Sequence, residues 1–114
     1  MTDNPTAAVS ETQGKLVVSL AGDIDLERSA AVRKLLLDCV ERDRDVLVDL
    51  SAVDYIDSSG IANLIEAFQA SKQRGTGFGL IAVSEQAMRV LELARLNKVF
   101  TIHAAVADAV AARS

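Results

Sequence analysis

The chain has 114 residues and a mass of 12.1 kDa, enough for one domain with a single core and too little for two. Hydrophobic residues make up 50% and charged residues 25%, the balance of an ordinary globular protein. With 12 basic against 16 acidic residues, a net charge of −4 and 4% aromatics, the composition argues against direct nucleic-acid binding through phosphate contacts and base stacking.

Residues 1–13 read as a flexible leader or a weak edge strand around Ala7 to Ser10, followed by one domain over 14–112. The leader has no cationic region followed by an apolar stretch, so it does not resemble a secretory signal, and no run approaches the roughly 18 apolar residues of a membrane span. A cytoplasmic protein without direct membrane insertion is expected. Lys15 to Leu20 is β-branched and apolar, predicting a strand that ends at Ala21-Gly22. Val32, Leu35, Leu36, Cys39 and Val40 recur at helical spacing and give the first helix one apolar stripe. Cys39 lies on that stripe and reads as a small core residue; as the only cysteine it forms no internal disulfide and no cysteine pair for a metal.

After the charged turn Glu41 to Asp45, Val46 to Leu50 is a continuous apolar run interrupted only by Asp49, which predicts a central strand. Asp57-Ser58 opens a second helix whose stripe is Ile61, Leu64, Ile65 and Phe68, with Gly75 as its stop. Phe78 to Val83 predicts the next strand. Ser84 is placed to cap a third helix with the stripe Ala87, Val90, Leu91 and Ala94. A short strand at Val99 to Ile102 and an Ala-rich helix from Ala104 to Ala112 complete the chain. Alternating strands and helices predict an α/β fold with a mixed sheet of four to five strands and about four helices, joined by right-handed crossovers.

The block Asp57-Ser58-Ser59-Gly60 places two hydroxyls where a strand turns into a helix. The first N–H groups of a helix have no intrahelical partner, and the aligned peptide dipoles leave partial positive charge there. A seryl phosphate, carrying about −1.5 to −2 charge at pH 7, would therefore find donors at this end and would place repulsive charge beside Asp57. Taken alone, Asp and Ser here would simply cap the helix, and either Ser58 or Ser59 could cap while the other projects.

Three blocks carry a family likeness. Gly22-Asp23-Ile24-Asp25, the run from Asp49-Leu50 through Val53-Asp54-Tyr55-Ile56 to Gly60, and Leu93 to Phe100 occur in an order and spacing that resemble the anti-sigma factor antagonist family, over roughly Gly14 to Val110. The resemblance implies the STAS fold and a partner switch without catalysis or cofactor. In such a switch the unmodified protein binds a serine-kinase anti-sigma factor and frees the sigma factor. Phosphorylation of Ser58 releases the kinase, and a serine phosphatase resets the protein; Ser59 is a minor second candidate for the phosphate. The resemblance places Asp23 and Asp25 on the kinase-binding face, together with Asp57, Ser58, Ser59 and Gly60; from the residues alone Asp23 and Asp25 equally fit a solvated turn after Gly22, with Asp25 able to cap the first helix. Ala62, Asn63 and Glu66 are expected on the exposed side of the second helix and complete that face.

Stand-alone domains of this kind also resemble the small cytoplasmic subunit of bacterial lipid-transport ABC systems, which steadies an ATPase subunit; this is the alternative function. The intact Asp57-Ser58-Ser59-Gly60 favours the phosphorylation reading, and a stressosome-like scaffold or ligand sensor is a third setting. Catalysis is not expected. His103 is the only histidine, and no Gly-x-Ser-x-Gly elbow accompanies a serine. The Gly75 to Gly79 stretch lacks both the spacing and the Lys of a phosphate-binding loop, and no metal site is implied.

Overall fold

The structure, a computed structural model, describes residues 7–111. Strand β1 (Ala7–Thr12) folds back on β2 (Lys15–Ile24) through Gln13 and Gly14, whose φ angles of 51° and 83° suit the two-residue turns that match strand twist. Then follow α1 (Leu26–Val40), β3 (Val46–Ile56), α2 (Ser58–Arg74), β4 (Phe78–Ile81), α3 (Glu85–Leu93), β5 (Thr101–His103) and α4 (Val106–Ala111). The strands lie in chain order across one sheet, β1 antiparallel to β2 and every other neighbouring pair parallel. A mixed five-stranded sheet with four helices is the expected architecture.

Both faces of the sheet are covered, which is why the central strands read as unbroken apolar runs. Val18, Leu20, Val48, Leu50 and Leu80 face a main core completed by Val32 and Leu36 of α1, Leu64 and Ala67 of α2, and Ala87 and Leu91 of α3. Cys39 belongs to this core. Val17, Leu47 and Ile81 point the other way and pack with Ala109 and Val106 of α4. Ser84 caps α3 as expected, accepting from the Ala87 N–H at 3.2 Å while its hydroxyl donates to the Val53 carbonyl at 2.8 Å.

Element ends differ from the sequence expectations in one informative way. β2 continues four residues past Leu20, and β3 six residues past Leu50. These extensions pair with each other from Ala21↔Ala52 to Ile24↔Ile56, after one register shift between Ser19 and Ala21 and across a second between Gly22 and Asp23. β4 stops at Ile81, short of Val83, because Ala82 turns to a φ of 51°. The result is a two-stranded ribbon that runs beyond the rest of the sheet. β5 begins at Thr101 rather than Val99, since Leu96–Lys98 form a 3₁₀ turn whose bonds reach Phe100. α4 starts at Val106 rather than Ala104, and the expected end at Ala112, like the first six residues of the leader, lies outside the described residues.

Candidate functional site

The tip of the ribbon is where α1 and α2 both begin, and two aspartates start them. Asp25 is extended, and its side chain caps α1 by accepting from the Arg28 N–H at 3.2 Å. Asp57 does the same for α2. One of its oxygens accepts from the N–H groups of Ser59 at 2.9 Å and Gly60 at 3.2 Å, and from the Ser59 hydroxyl at 2.5 Å. The Asp57 N–H donates to the Ile24 carbonyl at 3.2 Å, tying the two helix starts together. The Ser59 hydroxyl, followed by the Gly60 and Ser59 N–H groups, holds the Asp57 carboxyl below the usual carboxylate range.

This geometry separates the two serines. Ser59 is half-buried, with its hydroxyl engaged by Asp57, whereas Ser58 is exposed on the first turn of α2. It also occupies helix-end donors that a phosphate was expected to use. The Ser59 and Gly60 N–H groups are already bound by Asp57, and the Ile61 N–H donates to the Asp57 carbonyl at 3.0 Å. Ser58 itself is exposed, and those three donors are taken before any group is added to its oxygen.

Gly60 is buried. A Cβ there would come within 2.7 Å of Ile56 Cγ1, 2.9 Å of Ile24 Cγ2 and 3.1 Å of the Ile24 carbonyl oxygen. Only glycine lets the first turn of α2 sit this close to the ribbon. Gly60, expected among the partner-binding residues, therefore lies beneath the surface at this helix start.

The α2 residues expected on an open side divide. Ala62 is exposed. Asn63 is 6% exposed, with its Nδ2 donating to the Ser29 carbonyl at 2.8 Å, so it is a packing residue between α1 and α2 and not part of the exposed side. Glu66 accepts from Arg33 Nε at 2.8 Å and Nη2 at 2.7 Å, a two-point pair across the helices that holds its carboxyl below the usual range. Asn63 and Glu66 escape the apolar stripe of α2 because their partners are polar groups of α1, which periodicity does not register. Asp23 is exposed at the end of β2, where Arg28 Nη1 donates to its backbone carbonyl at 3.2 Å.

Two residues of this end lie outside the sequence-derived set. Leu26, the first residue of α1, is 75% exposed, and Tyr55, paired in register with Asp23, is 51% exposed. A signal for each exists in the sequence: Leu26 falls off the stripe that runs from Val32, and Tyr55 is an aromatic ring among Asp54, Asp57 and the serines. Among the described residues, no group of His, Cys, Asp and Glu is arranged to hold a metal ion, and no helix is long and apolar enough to cross a membrane.

The chain is 31% identical over 108 residues to the anti-sigma-F factor antagonist RsfB of Mycobacterium tuberculosis, covering 94% of this chain and 88% of that protein. It is 27% identical over 101 residues to the anti-sigma-B factor antagonist of Bacillus subtilis, covering 89% and 93% of the two chains. The crystal structure of an anti-sigma factor antagonist from Mycobacterium paratuberculosis superposes with a TM-score of 0.84 at 29% identity, over 92% of this chain and 90% of that one. Residues 6–109 match the family model described as the STAS domain, and with that match added to the ribbon, its two capped helices and its exposed serine, the chain belongs to the STAS domain family.

Proposed function

We propose that the chain is an anti-sigma factor antagonist that works as a partner switch, with Ser58 as the switch. Unmodified, it docks a serine-kinase anti-sigma factor through the tip of the ribbon and so frees the sigma factor. Phosphorylated on Ser58, it lets go, and a serine phosphatase restores it. The single observation that carries this reading is the contrast between adjacent hydroxyls: Ser59 is engaged by Asp57, and Ser58 faces outward on the first turn of α2. The chemistry needs no rearrangement of the fold. A phosphate displayed beside Asp57 adds negative charge that a docked partner would have to dehydrate, and it stays within reach of a phosphatase. The names carried by the relatives, all antagonists of anti-sigma factors, support the same role. The transporter-subunit alternative gains no support from them.

Incubation with the kinase anti-sigma factor of the same organism and ATP is expected to add one phosphate, mapped to Ser58 by mass spectrometry. Ser58→Ala should take up none. Ser58→Asp is expected to weaken the kinase complex by about 1–3 kcal/mol, with little change in melting temperature. Phosphate on Ser59, or undiminished uptake by Ser58→Ala, overturns the assignment.

A further inference from the structure

Building on the switch reading, we infer that Leu26 and Tyr55 are the apolar anchors by which this chain grips its kinase, and that the kinase meets them with an apolar pocket rimmed by basic residues. The inference starts from an inconsistency in the ribbon. Ile24 and Ile56 are paired in register and are 0% and 2% exposed, so the ribbon has a well-buried side. Next to Ile56, Tyr55 is 51% exposed, and two residues past Ile24, Leu26 is 75% exposed. Both lie close to the switch: Tyr55 is three residues before Ser58, and Leu26 is two residues past Ile24, whose carbonyl accepts at 3.2 Å from the N–H of Asp57, the cap of the helix carrying Ser58. An isolated exposed leucine needs no explanation, but Tyr55 lies in the last paired positions of the ribbon and Leu26 two residues beyond them, so two large exposed apolar residues share the tip at which the helix of Ser58 begins.

Charge selects the occupant. Asp23, Asp25, Glu27, Asp54 and Asp57 all lie within three residues of Leu26 or Tyr55 along the chain, and the one cation in those two stretches, Arg28, is turned toward the Asp23 carbonyl. A second copy of this chain would bring the same acidic rim and be repelled, while an anionic membrane would be repelled for the same reason. A protein surface with a basic rim and an apolar centre is complementary in both respects. Tyrosine and leucine seated in such a pocket also make the centre of the interface dry, which explains how one phosphate defeats binding to a basic partner: its oxygens would have to lose water next to Leu26 and Tyr55.

The test is a titration of the organism's serine-kinase anti-sigma factor, loaded with ADP so that no phosphate is transferred, into the full chain and its variants. Leu26→Ala and Tyr55→Ala are each expected to weaken binding by about tenfold or more, with unchanged melting temperature, and raising the salt concentration should weaken the parent complex. Leu93→Ala, which removes an 86% exposed leucine from the end of α3, should stay within about twofold of the parent. If Leu26→Ala and Tyr55→Ala bind like the parent while Ser58→Asp does not, the anchors are refuted and the switch survives. Equal losses from Leu93→Ala and Leu26→Ala also refute the anchors, since the contact would then have no preference for this end. A parent chain that neither binds this kinase nor is phosphorylated by it removes the switch and the anchors together.

Discussion

The two ends of the parallel strands handle their carboxylates in opposite ways. Where the strands begin, acids are matched with cations: Lys15 with Asp45 and Arg74 with Asp43, each at 2.7 Å, and Arg44 with Glu11. Where β2 and β3 finish, Asp25 and Asp57 direct their oxygens at helix N–H groups instead, and Asp23 and Asp54 stand exposed. Exposed ion pairs add little stability, about 0–1 kcal/mol each, but they neutralise a surface. Capping satisfies hydrogen bonds and leaves net charge in place. One end of the molecule is therefore finished by its own side chains, and the other keeps the charge and apolar surface that a partner can use.

The largest effect expected from testing this contrast is at Gly60. Gly60→Ala should introduce an overpacking cost of about 1–3 kcal/mol against Ile24 and Ile56, outweighing the gain of ~1 kcal/mol in helix propensity and lowering the urea midpoint. A midpoint at or above that of the parent would mean that the ribbon and α2 have slack between them, and that the acidic end is not held rigid.

Next comes Asp57. Asp57→Ala should lower the melting temperature by removing the cap, whereas Asp57→Asn should preserve it near neutral pH because Asn caps as well. The folded carboxyl titrates below its ordinary value, so the ionised form is the more stabilising one. Its contribution is complete above the ordinary carboxylate pKa of about 3.9 and disappears as pH falls through the lowered folded value. Melting curves collected downward from pH 5 should fall less steeply for Asp57→Asn than for the parent. Identical acid profiles would show that the cap does not depend on charge.

The smallest effect belongs to the opposite end. Lys15→Met should cost at most about 1 kcal/mol, with a partial recovery of the difference in high salt, because Asp45 keeps the Gly77 N–H at 2.8 Å after the cation is lost. A cost of several kcal/mol would erase the distinction between a neutralised surface and a structural one.

How much of this was legible beforehand depended on which force set each feature. The main-core stripes of α1 and α2, the apolar runs of β2 to β4 and the cap at Ser84 follow from periodicity and capping chemistry, and those elements form where the pattern points. The ribbon was invisible because its register shifts break the two-residue alternation, giving β3 after Leu50 the sequence exposed, exposed, buried, exposed, exposed, buried. At the site, Asp25 and Asp57 are legible as caps, but the choice between Ser58 and Ser59 rests on which hydroxyl Asp57 takes, a three-dimensional matter. Asn63 reads as a surface residue and is buried, because its amide serves the carbonyl of Ser29 at a distance of 34 residues in sequence.

One further property follows from the placement of Tyr55. It is the chain's only tyrosine, and there is no tryptophan, so the near-ultraviolet emission of the molecule comes essentially from one ring. That ring is half-exposed, three residues before Ser58, and not in the hydrophobic interior, so the protein carries a native optical reporter close to the place where it is expected to change partners.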